Sequence, residues 1–170
     1  MEIKEYVALE LEGVKRALTR VLGGLNQQEL SWRPACGCNS IGLILVHMVR
    51  FEDTFVQTRL QGKPEVWIAE KWHQKLNMAE ADAGAHYTAD QVNAFQVPEL
   101  KDTLAYFDAV RARTQNYLRG LNSEAFDKKI QTPRFGEVSI AFMFSLIIGH
   151  EHQHIGEISY LRGLQRGMDK

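Results

Sequence analysis

Three of the six histidines fall within five residues, in Gly149-His150-Glu151-His152-Gln153-His154-Ile155-Gly156-Glu157. Imidazole nitrogen is a good ligand for first-row transition ions, and two imidazoles one helical turn apart can reach a single ion. No proline interrupts the stretch from Val138 to Arg162, which is read as one long helix. At about 100° per residue, His150 and His154 share a face with Leu146, Glu157 and Leu161, while His152 points away toward solvent or a subunit contact. Imidazole suits Zn, Ni, Fe or Cu, and the spacing does not choose among them.

A third histidine, His47, stands in the apolar run Ile41-Gly42-Leu43-Ile44-Leu45-Val46-His47-Met48-Val49. Burying an imidazole among aliphatic side chains costs free energy unless both ring nitrogens find partners. If the helix carrying His47 faces the last helix, His47, His150 and His154 form a three-imidazole set. Three protein ligands with positions left open is the pattern of a catalytic metal site rather than a closed structural one. The competing reading is a structural bundle in which each histidine is a hydrogen-bonded core residue.

Other side chains bear on the same chemistry. Glu157 can act as an acceptor behind a histidine, as a further ligand, as a base, or as a polar residue at the rim. Arg50, one turn beyond His47, can receive an anionic cofactor or substrate group, or pair with an acidic neighbour. Cys36-Gly37-Cys38 precedes a helix, where a thiol pKa can fall, but small linker residues are the simpler reading. His73 and His86 show no partner pattern. Trp32, Trp67 and Trp72 are read as packing, near the mouth of a pocket.

These residues need a scaffold. Val7, Leu11, Val14, Leu18 and Val21-Leu22 recur at helical spacing in a first helix over Glu2 to Leu22, closed by Gly23-Gly24. A linker from Leu25 to Asn39 leads to a second helix from about Ser40 to Leu60, apolar almost all round at its start and therefore buried. The stretch from Lys63 to Pro98 predicts a short helix over Pro64 to Leu76. Thr88-Ala89-Asp90-Gln91 is a capping box opening another short turn through Phe95. A third helix runs from Pro98 or Glu99 to Arg119, and a second linker, with a short extended piece, spans Ser123 to Glu137. The expected fold is all-α, a four-helix bundle with a long crossover between helices two and three that carries short extra helices. Residues 1–170 are read as a single domain.

The chain has 20 Lys plus Arg against 21 Asp plus Glu, a net charge of -1, so bulk electrostatics do not favour nucleic acid. No apolar segment follows Met1, so no signal peptide is expected. The longest apolar run, Ile140 to Ile148, is too short for a membrane span. Cytoplasmic localisation and free thiols follow as expectations.

Taken together, Trp32-Arg33-Pro34, the helix bearing His47 and the last helix through Gly163 resemble the DinB-like (YfiT-like) superfamily of four-helix-bundle metalloenzymes. That family carries one histidine in the second helix and H-x-x-x-H followed by x-Gly-Gln in the last. The resemblance spans nearly the whole chain. It implies a divalent transition metal such as Zn, Ni or Fe held at His47, His150 and His154. It also implies kinship with thiol-dependent transferases and isomerases that use mycothiol or bacillithiol, and with the metal domain of ergothioneine-type sulfoxide synthases. Glu157 departs from the pattern, standing where the family usually has Gln. The functional expectation is a metal-dependent transferase, isomerase or hydrolase acting on a small molecule, with a low-molecular-weight thiol as a further cofactor. A metal centre would convert such a thiol to thiolate. The alternative is a non-catalytic metal-binding or stress-associated module. The expected partners are a small-molecule substrate and a second copy of the chain in a homodimer, without nucleic acid or membrane.

Overall fold

The computed structural model describes residues 1–167. Helix α1 (Ile3–Leu22) buries the predicted stripe Val7, Leu11, Val14, Leu18, Val21 and Leu22. The first linker contains a short helix, α2 (Gln27–Ser31), absent from the periodicity reading. Asn26 caps it, accepting from the Glu29 amide at 3.0 Å while the Glu29 carboxylate accepts from the Asn26 amide at 2.8 Å.

Helix α3 (Ile41–Asp53) starts at Ser40, whose hydroxyl accepts from the Leu43 amide, and it is buried on nearly every side. The expected helix to Leu60 holds, but its last part, Thr54–Leu60, is π-helical. The single short helix expected over Pro64 to Leu76 is two, α4 (Val66–Ala69) and α5 (Trp72–Lys75), broken at Lys71, which adopts φ 56°. Helix α6 (Ala89–Ala94) opens on the predicted Thr88/Gln91 capping box. Helix α7 (Leu100–Arg119) follows. A 3-10 turn (Ser123–Asp127) then leads to a hairpin of β1 (Lys129–Thr132) and β2 (Gly136–Ser139), antiparallel, with Ile130 opposite Val138. Ser139 closes the hairpin and also caps α8 (Ile140–Arg166), accepting from the Phe142 amide at 3.1 Å.

The four long helices form the bundle: α8 packs on α1 and α3, and α7 packs on the same two. This sets α3 directly against α8, the pairing that the histidines require. Trp67 and Trp72 lie in the bundle core with Leu18, Met48 and Tyr106. Among the described residues no helix is long and apolar enough to cross a membrane.

Two buried polar clusters lock this frame. Arg111 of α7 donates to Glu52 of α3 at 3.0 Å, to Glu151 of α8 at 2.7 Å and to the Leu11 carbonyl of α1 at 2.5 Å. One guanidinium thus ties all four long helices, and all three side chains are buried. Two carboxylates face one cation here. Burial, followed by the neighbouring Glu52 charge, drives the Glu151 pKa well upward.

The second cluster fastens the long crossover onto α3. Asp53 accepts from the Val66 and Trp67 amides, both at 2.9 Å, and from the Tyr106 hydroxyl at 2.6 Å. Arg50 donates to Glu65 at 2.6 Å and to the Asp82 carbonyl at 3.3 Å, with its guanidinium 4.5 Å from the Trp67 ring centroid. These bonds fix where the segment after Asp82 passes over the histidines.

Candidate metal centre

His47 comes from the middle of α3, and His150 and His154 from successive turns of α8. The Nε2 atoms of His47 and His150 lie 3.0 Å apart, and those of His154 and His150 lie 3.1 Å apart. The structure brings together the three histidines singled out in the sequence, with a ligand nitrogen of each within 4.8 Å of the others. His152 lies outside the cluster, exposed, 3.9 Å from Glu10.

The outer ring nitrogens explain the inner geometry. His47 Nδ1 lies 2.8 Å from the Gly84 carbonyl, an acceptor only, so Nδ1 carries the hydrogen and Nε2 presents a lone pair. His154 Nδ1 lies 2.7 Å from Glu157 Oε2 and donates in the same way. Glu157 is therefore the acceptor behind a histidine. Its carboxylate also accepts from the Gln153 amide at 3.2 Å. His150 is oriented by stacking: Phe51 lies 3.6 Å from it, centroid to centroid, at 12°, and Phe55 stacks on Phe51 at 3.9 Å. The π-helical segment begins between these two phenylalanines, and such segments recur at functional sites.

These protons cannot be balanced by the protein alone. The Nε2 atoms of His47 and His154 are both acceptors, and His150 Nε2 can donate to only one of them. His150 Nδ1 is buried and has no partner, so either tautomer leaves a buried nitrogen unsatisfied. A cation that takes all three Nε2 lone pairs removes the clash of acceptors at the centre of the cluster and leaves His150 Nδ1 to carry its hydrogen. Ligand nitrogens about 2.0–2.1 Å from a tetrahedral zinc are separated by about 3.3 Å, close to the spacing seen. The donor set fits a divalent transition ion held by His47, His150 and His154.

The electrostatics agree. Burial, then the like-charge proximity of His154 and His47, lowers the His150 pKa to about 3. Burial likewise lowers that of His47, partly opposed by its bond to Gly84. Both rings are neutral at physiological pH, the form a metal requires.

A cavity of about 220 Å³ opens beside His47 and His154. Leu43 and Ile44 line one side, Gly84, Ala85, His86 and Tyr87 the other, with Val92 and Asn39 farther along. Arg50 is not among its walls; the guanidinium is engaged with Glu65 and Asp82 beneath the crossover. The tryptophans do not line it either. Cys36 is exposed and accepts from the Asn93 amide at 3.0 Å, and neither cysteine joins the histidine cluster. His73 is buried and donates to the Trp67 carbonyl at 3.2 Å.

Sequence reasoning missed Gly84, His86 and Asn39 at the site. It also missed the Glu52–Arg111–Glu151 clamp beside it. The clamp had a signal: Glu52 and Glu151 each interrupt a helix face that is otherwise apolar.

The DinB superfamily profile matches residues 10–158. Among solved structures, a conserved protein from Enterococcus faecalis superposes with a TM-score of 0.85 at 20% identity, covering 99% of each chain. YfiT from Bacillus subtilis, described as a probable metal-dependent hydrolase with an unusual four-helix bundle topology, superposes with a TM-score of 0.65 at 16% identity. That match covers 98% of this chain and 89% of YfiT. At these identities the likeness establishes the shared fold. No functionally curated protein matches the chain significantly.

Proposed function

We propose that this chain, which belongs to the DinB superfamily, is a divalent-metal enzyme that activates a nucleophile against a small electrophilic substrate, with hydrolysis as the principal reaction. The observation that carries this reading is the convergence of three Nε2 atoms, two of them held as lone-pair donors by Gly84 and Glu157. YfiT, described as a probable metal-dependent hydrolase, adds support through the shared fold.

A divalent ion at His47, His150 and His154 supplies Lewis acidity, bringing a held water or small thiol close to ionisation at neutral pH. The protein residues do the rest. Gly84 and Glu157 hold two imidazoles in the required tautomer. Glu157, partly exposed and bonded to His154 Nδ1, is the carboxylate through which the proton released by an activated nucleophile can pass to solvent. Phe51 and Phe55 keep one flank of the centre dry. The apolar wall of Leu43, Ile44 and Val92 receives the substrate body. Arg50 is assigned to anchoring the crossover rather than to holding a cofactor. The cavity favours an enzyme over a non-catalytic metal module, since a closed structural site has no use for adjoining space.

Metal analysis of purified protein tests the reading. On the order of one divalent ion per chain is expected, with loss in His47→Ala and in His154→Ala. Unchanged metal content in both variants refutes the three-histidine centre. With the metal established, a hydrolytic and thiol-transfer screen on small esters, amides and epoxides identifies the reaction.

A further inference from the structure

The two cysteines of the chain, Cys36 and Cys38, flank a single glycine. The Cys38 amide donates to the Ala35 carbonyl at 3.2 Å and closes a turn over these four residues. Gly37 holds the third position at φ +75°, as in a type II turn. Such a turn leaves the Cα atoms of Cys36 and Cys38 roughly 5–6 Å apart, within the span of a disulfide. Both thiols are free, Cys36 exposed and Cys38 half-buried. Neither sulfur belongs to the group of histidines that can meet at one ion, so the pair is separate from the metal centre.

The turn is docked on α6. Asn93 of that helix donates from its side-chain amide to Cys36 Sγ at 3.0 Å and accepts from the Gly37 amide at 2.8 Å. A Cβ built on Gly37 would lie 3.3 Å from that of Ala89, at the start of the same helix. Arg33, in the same linker, donates to the Phe95 carbonyl just beyond the helix at 3.1 Å. Helix α6 is thus held by the linker, and it carries Val92, a wall of the cavity beside the histidines. Asn39, next in the chain after Cys38, lines the same cavity.

A disulfide around one residue closes a small, strained ring, and strained disulfides are readily reduced again. An exposed thiol with a second cysteine beside it to resolve the first adduct is the arrangement of reversible thiol oxidation. We propose that Cys36 and Cys38 are a reversible dithiol–disulfide pair that exchanges with a low-molecular-weight disulfide, and that oxidation loosens α6 at the cavity. The Cys36 thiolate attacks one sulfur of the small disulfide. A mixed disulfide forms, the S–S bond of the small molecule breaks, and one thiol leaves with the proton Cys36 gave up. The Cys38 thiolate then attacks Cys36 Sγ, the mixed bond breaks, and the second thiol leaves with the proton from Cys38. Two electrons pass from the protein to the small disulfide. Closing the ring turns Cys36 Sγ toward Cys38 and away from the Asn93 amide.

The test incubates the full chain with oxidised glutathione, traps free thiols with iodoacetamide and weighs the product. The expected chain has lost two hydrogens, carries neither glutathione nor alkyl groups, and regains both thiols in dithiothreitol. Cys38→Ser stops at the mixed disulfide on Cys36, and Cys36→Ser, left with the less exposed thiol, reacts about tenfold or more slowly. Hydrogen exchange of the α6 amides runs about threefold or more faster in the oxidised chain than in the reduced one, and does not change in Cys36→Ser treated alike. If the wild type keeps both thiols, or holds glutathione on each without closing the ring, the proposal fails. If the ring closes and α6 exchange is unchanged, the link to the cavity is wrong. Both readouts are independent of metal content, so the reading of the histidines stands or falls separately.

Discussion

Gly84→Ala tests whether the crossover is part of the metal centre or only a cover. Gly84 adopts φ +67°, and a Cβ built on it would lie 2.7 Å from Arg50 Cγ and 2.9 Å from Arg50 Cβ. Left-handed backbone costs alanine about 1–2 kcal/mol. Arg50 cannot retreat, because its guanidinium is held by Glu65 and its stem stands on α3. The loop must therefore move, and it carries the carbonyl that accepts from His47 Nδ1. Losing that bond removes about another 1 kcal/mol. At about 2–4 °C per kcal/mol for a chain of this size, the melting temperature of the metal-free protein should fall by roughly 4–12 °C. Freed from its acceptor, His47 samples both tautomers and a wider range of ring angles, so zinc affinity should fall about 10–100-fold. Competition against a chromophoric chelator reads the affinity. Gly62→Ala is the control, since Gly62 has φ +63° and no heavy atom within 4 Å of its built Cβ. It carries the same left-handed penalty without touching Arg50 or His47, so stability should drop and zinc affinity should hold. If Gly84→Ala binds zinc within about twofold of wild type while melting like Gly62→Ala, the carbonyl does not orient the ligand and the reasoning is wrong.

Other outcomes follow from the same geometry. Arg111→Met strands Glu52 and Glu151 in the core and should destabilise the protein by about 3–5 kcal/mol in urea unfolding, with much of that recovered when both are also changed to Gln. Glu157→Gln keeps an oxygen for His154 Nδ1 and should hold zinc affinity within about tenfold, whereas Glu157→Leu should lose about 10–100-fold in the same chelator competition. The metal-free protein should lose stability as pH falls from about 6.5 toward 3. With the folded His150 pKa lowered to about 3 and that of His47 also lowered, the unfolded chain takes up protons that the folded one refuses. Denaturation midpoints that do not move between pH 7 and pH 5 would contradict this.

What could be read from the sequence is what periodicity encodes. The apolar stripes of α1, α3, α7 and α8 repeat every three to four residues, and the wheel of α8 separates His150 and His154 from His152. The second half of the site was harder. Glu52 and Asp53 are residue types usually found at a surface, yet both are fully buried, because Arg111, Tyr106 and the α4 amides come to them from elsewhere in the chain. Arg50 has two readings in the sequence, a receiver of an anionic group or half of an ion pair, and the Glu65 and Asp82 partners that engage it lie in the crossover. Gly84 acts through a backbone carbonyl, which any residue possesses and no side-chain pattern reveals. The small helix α2 was legible in Asn26 and Glu29 as a capping box, but five residues are too few to show a period.

The inter-helix contact between His47 and His150 joins positions 103 residues apart. A ribosome making this chain delivers His47 long before α8 exists. Until then a single imidazole offers an ion nothing that competes with free cellular ligands, and the crossover that supplies Gly84 has no second helix to close against. Capture of the ion proposed above would thereby be deferred to the last stretch of synthesis. Chains cut short before α8 should be born without an ion, and metal content should report completed folding rather than mere translation.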